Sequence, residues 1–300
     1  MSDPLSSSAC RVARSTRCSL LSLKLQAFAM LALTIPASLA TAQTADEYTP
    51  EQLKKHFIET ARDYRIRSGS KLLELRSQPL MHWQNPVREQ ELGTLFVWSR
   101  GGRPDVFASV FTYKMDDRVY CRHEVLSLSD GPLAATLDGV TVWTPMKPGL
   151  TWKPITDVPA PSGSAGRRLA QMRGIARQFD GTLSIPNSQP SKLTLIPQPV
   201  LRYESKGDDV LDGAIFALAV ATDPEIWLAI EARKTSGADP VWYFASARSH
   251  YHALSLRRNR KLVWQVDSEI ALENTRYNER PYSEETYFLF NPANPLPDRQ

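Results

Sequence analysis

Cysteine is scarce: three residues in 300, at positions 10, 18 and 121. Cys10 and Cys18 fall in a leader that reads as removable, which leaves Cys121 alone. A single thiol excludes an intramolecular disulfide, so packing must hold the fold. The glycine-rich loops that cradle phosphate or a dinucleotide are missing, as are the His-Glu-x-x-His and His-x-x-Glu-His spacings of zinc hydrolases. The nearest approach to a Gly-x-Ser-x-Gly nucleophile elbow is Gly163-Ser164-Ala165-Gly166, where Ser164 reads instead as a helix N-cap. The apolar run 25–39 spans about 15 residues, short of the roughly 20 needed to cross a bilayer, and Pro36 interrupts it.

That run belongs to a secretory signal. Arg11, Arg14, Arg17 and Lys24 precede it against a single acid, Asp3, and Ala40 and Ala42 stand at −3 and −1 of a cut before Gln43. The expected product is exported, periplasmic or secreted, with no transmembrane helix after cleavage. Cleavage lowers the net charge from +4 to about +1. A chain so near neutrality offers no electrostatic case for nucleic acid.

What is present is an internal repeat. Residues 73–110 align without a gap on 193–230, with identities at Leu73/Leu193, Leu75/Leu195, Gln78/Gln198, Pro79/Pro199, Gly93/Gly213, Phe96/Phe216 and Pro104/Pro224. Trp83/Tyr203, Asp105/Glu225, Val106/Ile226 and Phe107/Trp227 are near-synonyms. The expected organisation is a signal peptide (1–42), a first helix-plus-meander repeat (43–145), a Pro-rich connector (146–163), a second repeat (164–291) and a disordered tail (292–300).

Each repeat opens on a helix. Thr49-Pro50-Glu51-Gln52 is a capping box with proline at the first helical position, and Leu53, Phe57, Ala61 and Tyr64 form an apolar stripe that ends by Gly69. The second helix starts at Ser164, carries Leu169, Met172, Ala176 and Phe179, and stops at Asp180-Gly181. The period then changes from 3.6 to 2, as in Val106, Ala108, Val110 and Thr112. Further strands are expected at 93–99, 118–129, 139–144, 213–222, 240–248, 251–257 and 261–267. Short turns imply antiparallel neighbours. The fold class is therefore α+β, mostly β, with a helix covering one face of each meander. Trp152 is the expected anchor of the connector.

Gly102-Arg103-Pro104, Arg122-His123-Glu124, Leu126-Ser127-Leu128-Ser129, Trp143-Thr144-Pro145 and the run from Leu195 to Pro199 resemble a family of exported planctomycete proteins of unknown function. The resemblance implies an exported setting and an α+β fold, and carries over no activity and no site.

The densest chemistry-bearing group is Cys121 and His123 on one expected strand with His250 and His252 on another. Residues i and i+2 share a strand face, so each pair offers two metal ligands. The Leu-Ser-Leu runs at 126–128 and 254–256 would place Glu124 and His252 at equivalent positions. The alternative is the polar face of an ordinary strand, and no catalytic, cofactor or metal residue is assigned. Asp208, Asp209 and Asp212 read as a solvated turn. Glu231 is expected to pair with Arg233 or Arg248, because an unpaired buried carboxylate is costly. The balance leans against an enzyme and toward a non-catalytic binding or scaffold protein without cofactor. The alternatives are a carrier of an apolar ligand held between helix and curved sheet, or a metal-assisted hydrolase. The partners left open are a protein or an apolar ligand.

Overall fold

A computed structural model describes residues 48–86, 90–115, 118–205, 209–235, 238–269 and 283–290. The expected signal peptide, Asp116, Asp117, Asp208 and the tail 292–300 lie outside the described residues. In chain order the elements are α1 (Pro50–Asp63), β1 (Tyr64–Ser68), β2 (Lys71–Leu72), β3 (Glu74–Leu75), β4 (Met81–Asn85), β5 (Gln90–Arg100), β6 (Arg103–Met115), β7 (Arg118–Ser127), β8 (Leu133–Leu137), β9 (Val140–Trp143) and β10 (Lys153–Ile155). A second series follows: α2 (Ala165–Ala176), β11 (Phe179–Ser184), β12 (Ser191–Lys192), β13 (Thr194–Leu195), β14 (Leu201–Tyr203), β15 (Val210–Val220), β16 (Asp223–Thr235), β17 (Ala238–Arg248), β18 (Ala253–Arg258), β19 (Lys261–Val266) and β20 (Tyr287–Phe290). The fold is α+β and mostly β, and its strands pair antiparallel.

The first helix begins where its sequence says. Thr49 accepts from the backbone of Gln52 and the Gln52 side chain accepts from the backbone of Thr49, closing the capping box. Leu53, Phe57 and Ala61 are buried on one stripe. The helix then stops at Asp63 rather than running on toward Gly69, and Tyr64 opens β1. Tyr64 and Ile66 point inward while Arg65 and Arg67 point out, so the period changes to 2 within a single residue. Likewise Phe179, Asp180 and Gly181 lie within β11 instead of ending α2.

Four sheets result. The large ones run β20-β7-β6-β5-β3 and β10-β17-β16-β15-β13, with β4 and β14 also pairing to β5 and β15. The small ones run β2-β1-β8-β9 and β12-β11-β18-β19. The expected strand at 139–144 therefore leaves the meander: its hairpin with β8 turns back to pair with β1. The connector also does more than link, since β10 adds an edge to β17 and buries Ile155.

Three apolar cores hold these layers together. One lies between α1, its small sheet and the large sheet of β5–β7, and another lies likewise beneath α2. The third is formed where the two large sheets face each other through Leu95, Val97, Phe107, Ile215, Ala217 and Trp227. Phe107 meets Trp227 edge-on at the centre, with ring centroids 5.0 Å apart. Because the large sheets are covered on both faces, β15 is buried almost from end to end and reads as a continuous apolar run.

Candidate functional site

A concavity forms where the chain passes from one sheet to the other. β2 pairs with β1 in the small sheet, and only Leu73 separates it from β3, which pairs with β5 in the large one. This leaves a corner beside the end of α1, a cleft of about 580 Å³. Its apolar side is made by Ile58, Leu73, Leu75, Phe96 and Trp98. Its polar rim holds Arg62, Arg65 and Arg76, all exposed, with Glu74 as the acid. The alternation of β1 explains the contrast, for Tyr64 lines the cleft from the core side while Arg65 stands out from it.

Behind this wall the Tyr64 hydroxyl is 2.8 Å from His123 Nδ1. Burial pushes the Tyr64 phenol upward and pulls the His123 imidazole down to about 3. It also lifts the Cys121 thiol to about 12. At neutral pH these groups are a neutral phenol, a neutral imidazole and an un-ionised thiol.

The corner between β12 and β13, beside α2, is built differently. There the Arg173 guanidinium of α2 donates to Gln198, and Leu193 and Leu218 close on Gly181.

The two pairs of the candidate Cys/His cluster sit on different kinds of element. Cys121 and His123 share a face of β7, but His250 and His252 lie in the turn between β17 and β18, not on a strand from 251. Among the described residues no group of three or more His, Cys, Asp or Glu could hold a metal. The Leu-Ser-Leu correspondence also fails: 126–127 belongs to β7 in a large sheet and 254–256 to β18 in a small one. Glu124 points away from Cys121 and accepts from the Tyr287 hydroxyl at 2.6 Å. Asp212 is not part of a solvated turn. It is fully buried between Arg168 at 2.8 Å and Arg202 at 2.7 Å.

Among the described residues, Glu231 carries the most heavily paired carboxylate. It accepts from Tyr203 at 2.7 Å and pairs with Arg233 at 2.6 Å and Arg103 at 3.2 Å. Arg233 was one of the two expected partners; Arg248 instead holds the His250 and His252 carbonyls. Both Arg103 and Arg233 also lie over the ring of Trp152, the anticipated connector anchor. Arg103 comes from β6 and Glu231 from β16, so this network ties the two large sheets together. Both Glu231 oxygens are satisfied by these donors, which marks the network as structural, while the buried Trp152 Nε1 makes no hydrogen bond within it.

The cleft itself was not visible in the sequence. Its residues are ordinary core hydrophobes and surface arginines, brought together only by the corner between sheets. Compared with protein-family models, with curated proteins and with solved structures, the chain matches none. Among the described residues no helix is long and apolar enough to cross a membrane.

Proposed function

We propose that this is an exported, non-catalytic binding protein that holds an amphiphile, with an apolar chain and an anionic head, in the cleft beside α1. The observation that carries the reading is the composition of that cleft: an apolar wall ending in three exposed arginines. Its volume, about 580 Å³, lies in the roughly 300–1,000 Å³ range of small-molecule sites. Leu75 and Ile58 supply contact for a chain, and Arg62, Arg65 and Arg76 favour a carboxylate or phosphate head. The state of Cys121 and His123 supports a non-catalytic role, since neither is poised to give or take a proton near neutrality. The basic leader, the small residues before Gln43 and the resemblance to exported planctomycete proteins support export.

The architecture belongs to the same proposal: the chain is an internal duplication of one helix-and-two-sheet unit. In its support, the strand orders of the two halves correspond one to one. Pro104 faces Ser99 just past a bulge at Asp105 in β6, and Pro224 faces Ala219 just past a bulge at Glu225 in β16. The contacts between halves are reciprocal as well. Gln84 exchanges hydrogen bonds with Thr222, while Gly102 packs against the Glu204 carbonyl. Such i-to-j and j-to-i contact is what a two-fold relation between copies produces.

The test is solvent extraction and mass spectrometry of the full chain, purified after expression with its own leader. The expected result is an intact mass beginning at Gln43 and a co-purifying acidic amphiphile that is lost from Leu75→Arg. Equal amounts of amphiphile on wild type and Leu75→Arg would contradict the cleft assignment.

A further inference from the structure

In the first half the C-terminal segment closes the gap between the small and the large sheet. Ser283 bridges Trp143, and Trp143 Nε1 donates to the Glu285 carbonyl at 2.7 Å. The segment then joins β7 as β20 and sinks Phe288 into the first core. Trp143 is fully buried as a result.

The second half has the same frame with a lighter cover, the Lys153 side chain, whose Nζ donates to the Val263 carbonyl at 2.6 Å. β10 lies along β17 as β20 lies along β7, with Lys153 opposite Phe244 where Phe290 is opposite His123. Trp264 pairs with Leu256 beside a bulge in β19, just as Trp143 pairs with Ala135 beside a bulge in β9. Two residues before Lys153 the chain has Thr151, in the place that Phe288 takes two residues before Phe290. Among the described residues, what remains is a groove of about 420 Å³ lined by Thr151, Lys153, Phe244, Leu262, Val263 and Trp264. Trp264 is only half-buried there, and Leu262 is 50% exposed.

We infer that this groove docks an extended segment of a partner protein, laid alongside β19 with a large apolar side chain in the space that Phe288 fills in the first half. Three observations converge on a peptide. β19 is the edge strand of its sheet, the place where augmentation adds a strand, and its Val263 carbonyl already accepts from Lys153 Nζ at 2.6 Å. Its apolar walls, Phe244 from the large sheet and Leu262, Val263 and Trp264 from the small one, face each other across Thr151 and Lys153. The protein's own C-terminal segment shows that extended chain is what fits between two such sheets. The inference rests on the paired topology of the halves and is independent of the α1 cleft.

The probe is a labelled peptide with the sequence of residues 283–290, Ser-Glu-Glu-Thr-Tyr-Phe-Leu-Phe. It is titrated by fluorescence anisotropy into the full chain and into the Thr151→Phe, Leu262→Glu and Leu75→Arg variants. Thr151 and Leu262 are exposed, so both substitutions leave the melting temperature near that of the wild type. Saturable binding is expected, weakened about tenfold or more by Thr151→Phe, which fills the groove, and by Leu262→Glu. A Phe288→Asp peptide should bind no better than background, and Leu75→Arg should bind as wild type does. No saturable binding, or equal binding by Thr151→Phe, overturns the inference. Loss in Leu75→Arg alone would place the peptide in the α1 cleft and overturns it equally.

Discussion

At the scale of single residues, the charges that matter are buried and paired. Glu231 is fully buried, so removing its charge leaves Arg103 and Arg233 facing each other without their shared anion. Breaking a buried pair costs about 3–5 kcal/mol. The two arginines retain some solvent contact, so Glu231→Gln is expected at the lower end, about 3 kcal/mol, in urea unfolding. A loss under about 1 kcal/mol would mean the network is replaceable by water. His123 predicts a pH dependence. Its folded value is held near 3 by burial, below the ordinary 6.5, so the native state excludes a proton that the unfolded chain accepts. The stability it contributes is present above pH 6.5 and is lost as pH falls from there toward 3, at about 1.4 kcal/mol per pH unit. Burial lowers His56 and His82 in the same direction. His123→Gln should flatten the slope between pH 6.5 and 4, and an unchanged slope would show that other groups dominate acid unfolding.

At the scale of elements, some features were legible in the sequence and others were hidden by the same patterns. The capping box at Thr49 named the start of α1 because its hydrogen bonds are local. The end of α1 was not legible, since Tyr64 extends the helical stripe and also begins the period-2 pattern of β1. Phe179 plays the same double part after α2. The Leu-Ser-Leu runs misled because identical short words occur on strands of different sheets. Gly93 and Gly213 were visible as a matched pair, and the structure gives the reason. Trp83 and Tyr203, directly opposite them, lie flat over the glycines, so a Cβ would sit 2.1 Å and 2.5 Å from the respective rings. Gly93→Ala must displace Trp83 and strain its bond to Ser109, made at 2.8 Å. The expected cost is about 1–3 kcal/mol by thermal or urea unfolding. A neutral effect would mean that the Trp83 ring can leave its place freely.

At the scale of the whole molecule, two large sheets meet face to face and each carries a helix and a small sheet on its outer side. The paired frame makes the differences between halves informative. One half has an open corner beside α1 where the other has Arg173 bonded to Gln198. One half has its inter-sheet gap covered by residues 283–290 where the other has a groove. Neither asymmetry could be read from a sequence alignment of the halves, because each depends on which sheet a neighbouring segment joins.

Direct titration of the mature chain with a fluorescent long-chain fatty acid, alongside its uncharged alcohol counterpart, tests the binding role most directly. Saturable binding of the acid is expected, weakened about tenfold or more by Leu75→Arg, which occupies the apolar wall. The alcohol should bind more weakly than the acid, and the difference should shrink when Arg62 and Arg76 are both replaced by alanine. Absence of saturable binding, or identical affinities in wild type and Leu75→Arg, would contradict the assignment of the α1 cleft as the ligand site.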